Sequence, residues 1–189
     1  MCSVARPMLD LDSNPALRHL FHLARLRVSL GFVVAVVAFW FAAPTWMSLT
    51  LGGVLAGAGE AIRVWAAGHL RKSQEVTTSG PYRLTRHPLY VGSFMLGLGF
   101  VVAAAHPMVA LVVLGYLAVM LWAAIRLEEA TLREAFGSTY DRYAGGTLHV
   151  TTRRFSFAQV VKNGEHHALL GLVAALGVLA MKVLYLRLG

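Results

Sequence analysis

Hydrophobic positions fall into five runs, at residues 29–47, 49–70, 89–105, 107–125 and 168–186, separated by polar stretches of very unequal length. Each run is long enough, or nearly so, to cross a hydrocarbon core that needs about 20 helical residues. None alternates polar and apolar residues as a barrel strand would, so the pattern predicts an all-α, polytopic membrane protein with five transmembrane helices. The third run is the shortest and holds Gly92, Gly97 and Gly99. Pro44 and Pro107 mark two short turns, which predicts one hairpin from runs one and two and another from runs three and four. Before the first run, Asn14-Pro15 reads as a helix start, with Leu17, Leu20, Phe21, Ala24 and Val28 recurring at helical spacing. That stretch is either an N-terminal amphipathic helix lying in the interface or an extension of the first span.

Basic residues give the pattern a direction. All but three of the 17 Lys and Arg lie in 1–28, 71–88 or 126–165, and the turns at 42–48 and 105–107 have none. Cationic loops stay in the cytoplasm. The N-terminus and both long polar stretches are therefore expected there, and the C-terminus on the opposite side. This divides the chain into a cytoplasmic segment, 1–28, and one membrane domain, 29–189, without internal repeats.

Composition agrees with a membrane location. Hydrophobic residues make up 57% of the chain and charged residues 14%, against about 25% charged in a soluble domain. Mean hydropathy is +0.62. The net charge of +8 is spread between apolar runs and forms no long basic tract, which argues for membrane lipids and against nucleic acid as partner. The first apolar run begins near residue 28 with no small-residue cleavage site after it, so no signal peptide is expected. The single cysteine, Cys2, excludes an intrachain disulfide and any multi-cysteine metal site.

Chemistry gathers in two places. The stretch Thr77-Thr78-Ser79-Gly80-Pro81-Tyr82-Arg83-Leu84-Thr85-Arg86-His87-Pro88-Leu89-Tyr90 is a polar loop leading into the third span. A helix N-terminus beside Arg86 and His87 can hold a carboxylate, and Tyr82 and Tyr90 offer aromatic faces to a cation. After the fourth span come Arg126-Leu127-Glu128-Glu129, Phe136-Gly137, Tyr140 and Tyr143. Carboxylates are costly against lipid, so Glu128 and Glu129 are expected to face the bundle interior or the cytoplasm, where one can bind an ammonium group. Taken singly, each feature also fits an interfacial anchor or a solvated helix end.

Other features have simpler readings. Glu60 and Arg63, three apart in the second run, form an internal ion pair that is either structural or a substrate contact. Gly53 and Gly57 make a small-xxx-small pattern for helix packing. His166-His167 reads as interfacial, and no further ligands for a metal site are found beside it.

The spaced set Gly80-Pro81-Tyr82, Arg86-His87-Pro88-x-Tyr90-x-Gly92, Glu128-Glu129 and Phe136-Gly137-x-x-Tyr140-x-x-Tyr143 resembles the isoprenylcysteine carboxyl methyltransferase family. These integral membrane enzymes are related to the phospholipid methyltransferases, and the likeness covers about residues 60–143. It implies an S-adenosylmethionine site within about residues 72–143, between the third and fourth spans and their cytoplasmic flanks. Gln74, Glu75, Val76, Thr77, Tyr82, His87, Pro88, Leu89 and Tyr90 would contact that cofactor, with Gly92 and Gly99 allowing close approach. Glu128 would take its amino group, with Glu129 beside it. Arg126, Arg63 and Glu60 are the candidates on the acceptor side.

After Tyr143 the family pattern of a Val-Pro segment is replaced by Ala144-Gly145-Gly146, and a fifth span follows. The acceptor is therefore open between an isoprenylcysteine-like carboxylate, another lipid, and a phospholipid or small amine or thiol. Methyl transfer from a sulfonium needs alignment and exclusion of water rather than a covalent intermediate, so no catalytic residue is assigned. The rival class is a non-enzymatic transporter or assembly subunit. A transporter would spread polar groups near the midplane, often in repeats, whereas here they gather at one face. The glycine-lined spans would also permit a homo-oligomer.

Overall fold

The structure, a computed structural model, describes residues 15–72, 74–149 and 151–188. Seven α-helices follow in order: α1 (Pro15–Phe41), α2 (Trp46–His69), α3 (Pro88–Ala104), α4 (Pro107–Phe136), α5 (Ser138–Ala144), α6 (Phe157–Lys162) and α7 (Glu165–Leu188), with a 3-10 turn at Gly80–Arg83. The described residues contain no strand. Among them, α4 and α7 are long and apolar enough to cross a membrane, and Ser29–Phe41 and Pro88–Ala104 are shorter apolar helices. α2 is as long as α7 but carries Glu60 and Arg63 in its middle.

Helix starts follow local chemistry. Thr45 and Ser48 form a capping box at α2, each side chain accepting the other's backbone N–H. Pro88 and Pro107 occupy first helical positions, where a missing N–H leaves no carbonyl unpaired. Ala105, at φ 49°, ends α3 in the left-handed region and allows the abrupt turn into α4.

Four sequence expectations change at this level. The backbone of the stretch expected as an interfacial helix is continuous with α1, and most of its side chains lie outside those described. The helix that carries the fourth apolar run does not end with it near residue 125, because α4 continues to Phe136. The hairpin of runs one and two does not pack as one: α1 lies mainly on α4, while α2 lies on α3. Finally, the packing glycines are not Gly53 and Gly57. A Cβ at Gly57 would meet nothing within 4 Å, and one at Gly53 only Leu176 of α7 at 3.8 Å. The face of α2 that meets α3 is one residue out of phase with that pair.

That face carries Gly52, Ala56 and Gly59, opposite Gly92, Gly99 and Ala103 of α3. A Cβ at Gly52 would sit 2.4 Å from the Gly99 carbonyl oxygen, and one at Gly99 would sit 2.4 Å from the Ala56 nitrogen. The two backbones touch along about three turns, so even a Cβ at these glycines forces the helices apart. At the other end of the molecule, Lys182 of α7 donates to the carbonyls of Phe39 at 2.6 Å and Trp40 at 2.8 Å. It thereby satisfies acceptors that the end of α1 leaves without helical partners.

Two predictions follow from this packing. Gly99→Leu should lower the melting temperature in detergent by the equivalent of at least ~3 kcal/mol, because backbone blocks the new side chain, whereas Gly57→Ala should leave it unchanged or slightly raised. Equal effects would show that the glycine face has been misplaced. Lys182→Met should reduce stability by about 1–2 kcal/mol through two orphaned carbonyls, read by the same melting curves. An unchanged midpoint would mean that water or lipid satisfies them equally well.

Candidate functional site

The close contact of α2 and α3 sets the shape of the chain between them. After α2 the chain passes through the 3-10 turn at Gly80–Arg83 and reaches Pro88 at the start of α3. Gly80 adopts φ 60° and lies against the His69 ring, where a Cβ would be 2.6 Å away, so this turn requires glycine. The loop is tied down from the segment beyond α5. Thr151 donates its N–H to Thr78 Oγ1 at 2.9 Å. Ser156 donates its N–H to the Gly68 carbonyl at 3.2 Å, and Asn163 Nδ2 donates to the Ala67 and Leu70 carbonyls. Arg153 pairs with both Glu75 carboxylate oxygens. The hydrogen bond from Arg153 is the main reason that the Glu75 carboxyl lies below the usual range.

Between this loop, the first turns of α3 and the distal half of α4 lies a cavity of about 550 Å3. Its polar wall includes Arg71, Lys72, Glu75, Thr77, Tyr90 and Glu128, and Val76, Tyr82, Leu89, Leu132 and Tyr143 also line it. Tyr90 and Glu128 line this wall together, close enough to act on each other electrostatically. Tyr143 donates its hydroxyl to the Tyr82 carbonyl at 3.0 Å, closing the side toward α5. Burial, then the charge of Glu128, pushes the Tyr82 phenol well above its usual range. Burial likewise raises Tyr143 to about 12. Both phenols stay protonated at neutral pH and serve as donors and aromatic faces, not as bases.

The helical phase of α4 separates its two adjacent carboxylates. Glu128 shares a face with Thr131 and Leu132 and lines the cavity. Glu129 points elsewhere and is already engaged: His87 Nε2 lies 3.3 Å from it, Arg86 3.8 Å and Arg126 4.0 Å.

The sequence candidates thus divide. Glu75, Val76, Thr77, Tyr82, Leu89, Tyr90 and Glu128 come together around one cavity, as does Arg63. Gln74 is exposed beside it, and Pro88 is fully buried beneath the loop. His87 is not on the wall, although its Nδ1 is buried without a protein partner. Gly92 and Gly99 face α2, where a Cβ on either would strike backbone or Arg63. Arg126 is largely exposed and touches neither cavity. Glu60 is buried near Arg63, at 3.5 Å.

Sequence reasoning did not single out Ser93, Thr131 or Glu165. Thr131 follows from the spacing of Glu128 once α4 is known to continue. Ser93 and Glu165 give no local signal, because both act through Arg63. Arg63 donates to Ser93 Oγ at 2.5 Å and to Glu165 of α7 at 2.6 Å. Arg63 and Ser93 also line a second cavity of about 460 Å3, enclosed by α1, α3, α4 and α7 and otherwise apolar except for Tyr116. A charged, loop-covered cavity and an apolar cavity between helices therefore meet at Arg63 and Ser93. Among the described residues, no group of three or more His, Cys, Asp or Glu could hold a metal ion.

The chain is 34% identical over 137 residues to a nickel-cobalt-cadmium resistance protein of Alcaligenes xylosoxydans xylosoxydans, covering 69% of this chain and 63% of the relative. It is 38% identical over 119 residues to a cobalt-zinc-cadmium resistance protein of Cupriavidus metallidurans, covering 58% and 54%. The chain thus spans less than two thirds of the length of either relative. No solved structure matches it. Residues 26–139, which carry α1 to α4 and every cavity-lining side chain from Arg27 to Leu132, match the phospholipid methyltransferase family, and the chain belongs to that family of membrane methyltransferases.

Proposed function

We propose that this chain transfers a methyl group from S-adenosylmethionine to a lipophilic acceptor that enters from the bilayer. The observation that carries the proposal is the junction of a mixed-charge cavity with an apolar one at Arg63 and Ser93. Membership of the family implies a methyl donor. S-adenosylmethionine carries a carboxylate, an ammonium and a sulfonium, and it supplies an electrophilic methyl group while leaving as a neutral thioether.

The residues present fit that donor. Glu75 is paired with Arg153, and Glu165 with Arg63. This leaves Glu128, with Tyr90 beside it, as the wall carboxylate that can take an ammonium. Arg71 and Lys72 on the opposite loop can take a carboxylate. Tyr82 and Tyr90 present faces to a cation. No side chain need form a covalent bond. The wall holds one reactant, the Arg63–Ser93 junction limits where the other can reach it, and the tied-down loop excludes water.

The same reading assigns a topology. The 3-10 turn, α5, α6 and the distal turns of α4 lie on the cytoplasmic side, where a water-soluble donor is available. At about 1.5 Å per residue, the 30 residues of α4 exceed a ~30 Å hydrocarbon core. Its final turns, carrying Glu128, therefore stand in the interface. All five apolar runs cross the bilayer, with the C-terminus opposite. The acceptor class is a lipid carboxylate, or in the alternative a phospholipid or smaller amine or thiol. The two relatives are named for resistance to metals; among the described residues, no group of three or more His, Cys, Asp or Glu could hold a metal ion.

Calorimetric titration of S-adenosylmethionine into the detergent-solubilised protein tests the proposal. Wild type should bind, Glu128→Gln should weaken binding by roughly 10–100-fold through loss of a charged contact, and Glu129→Gln should change it less than about three-fold. A folded wild type that does not bind would remove the methyltransferase reading, and equal losses in both variants would remove Glu128 from the donor site.

A further inference from the structure

The helix that completes the apolar cavity lies outside the matched family region. Residues 26–139 supply α1 to α4, but the remaining wall is α7, through Ala168, Gly171, Leu172, Ala175 and Leu176. Small residues predominate on this face, and a Cβ at Gly171 would meet nothing within 4 Å. α7 therefore borders space rather than filling it. Its first residue, Glu165, is buried and holds Arg63 at 2.6 Å, which fixes the start of α7 at the polar end of the cavity. The Tyr116 hydroxyl is already spent on the Arg27 carbonyl at 2.8 Å. Arg63 and Ser93, at the one place where the two cavities meet, are bonded to each other, to Glu165 and to the Leu89 carbonyl, but the guanidinium has N–H groups beyond those bonds to offer a ligand.

We propose that α7 is the acceptor-selecting wall of the enzyme, lying along a hydrocarbon tail whose head sits at Arg63 and Ser93. This rests on the lipophilic-acceptor reading above and adds to it which element sets the size of the acceptor. A cavity of about 460 Å3, lined almost wholly by apolar side chains, has room for a hydrocarbon tail. Because transfer requires reacting atoms roughly 3–3.5 Å apart, only an acceptor with its head at the junction can reach the methyl group. Its tail must then run away from the junction between α1, α3 and α7. Ala168 borders the head end. Ala175 lies two turns deeper, about 10 Å along the helix axis. Glu165 is a positioning residue: it acts through Arg63 and through the placement of α7.

The wall makes a graded prediction about tail length. Octanoic and hexadecanoic acids carrying a photoreactive diazirine at the chain end serve as probes, with labelled peptides mapped by mass spectrometry. Wild type should be labelled on inward residues such as Leu96, Phe100 and Leu176 by both probes. Ala175→Phe should reduce cavity labelling by the long probe roughly ten-fold, the equivalent of about 1.4 kcal/mol, and spare the short one. Ala168→Phe should reduce both. Glu165→Gln should blur the length cut-off without changing labelling of outward residues such as Trp122. Gly171→Leu replaces Ala175→Phe should the latter fail to elute as a folded species. Labelling confined to outward residues, or equal loss of both probes in Ala175→Phe, would overturn the proposal. Probe occupancy needs no methyl donor, so failure of donor binding and failure of the tail site are separate results.

Discussion

The whole arrangement depends on two helix backbones being allowed to touch. In a bilayer the lipid is as apolar as the helices, so burial of hydrophobic surface gives helices little reason to associate, and close packing must do so. Gly52, Ala56 and Gly59 against Gly92, Gly99 and Ala103 supply that packing for α2 and α3. Once the two helices are fixed this closely, the loop that connects them has little freedom. The left-handed turn at Gly80 against His69, the 3-10 turn and Pro88 then place Tyr82 and Tyr90 on one wall. The glycines of α3 thus act on the site at one remove. They face α2, and their effect on the cavity is to set how near its two sides stand.

α4 contributes through its length. It continues past the apolar stretch without a break, so its polar end is as rigid as its membrane part and its side chains keep helical phase. Glu128 and Glu129 are adjacent in sequence but about 100° apart around the axis. One lines the cavity, and the other is enclosed by Arg86, His87 and Arg126. This division gives two identical side chains different work. Glu129 holds the turn before α3 against α4, and Glu128 is left with Tyr90 at a wall that has no other unpaired carboxylate.

The sequence was informative wherever the determinant is local. Apolar runs and prolines at first helical positions locate the helices, and the spacing of Tyr82, Tyr90 and Glu128 marks the cavity. It was less informative about phase and partnership. Gly53-xxx-Gly57 and Gly52 with Ala56 and Gly59 are equally good patterns in one dimension, and only the position of α3 chooses between them. The short turn at Pro44 implies a packed hairpin, yet α1 finds its main partner in α4. Ser93 and Glu165 could not be found from neighbours in sequence, since each is defined by Arg63, 30 and 102 positions away. The charged cavity draws mostly on one loop and the ends of two helices, whereas the apolar cavity is assembled from five helices.

The Arg63 cluster deserves a physical reason for existing. Two carboxylates and one guanidinium are removed from water among apolar helices, and both Glu60 oxygens lack a hydrogen-bond donor. Desolvating such groups commonly outweighs their mutual attraction, so stability alone is a weak explanation for the cluster. The proposed methyl transfer, between one reactant from water and another from hydrocarbon, offers a better one. The boundary between the cavities needs a polar group that stays in one position while a reactant approaches from either side. A lone arginine would swing toward the aqueous cavity. Held by Glu165, Glu60 and Ser93, it cannot follow the solvent. The cluster spends stability to keep a charge at the one point where a water-soluble molecule and a hydrocarbon-soluble one can meet.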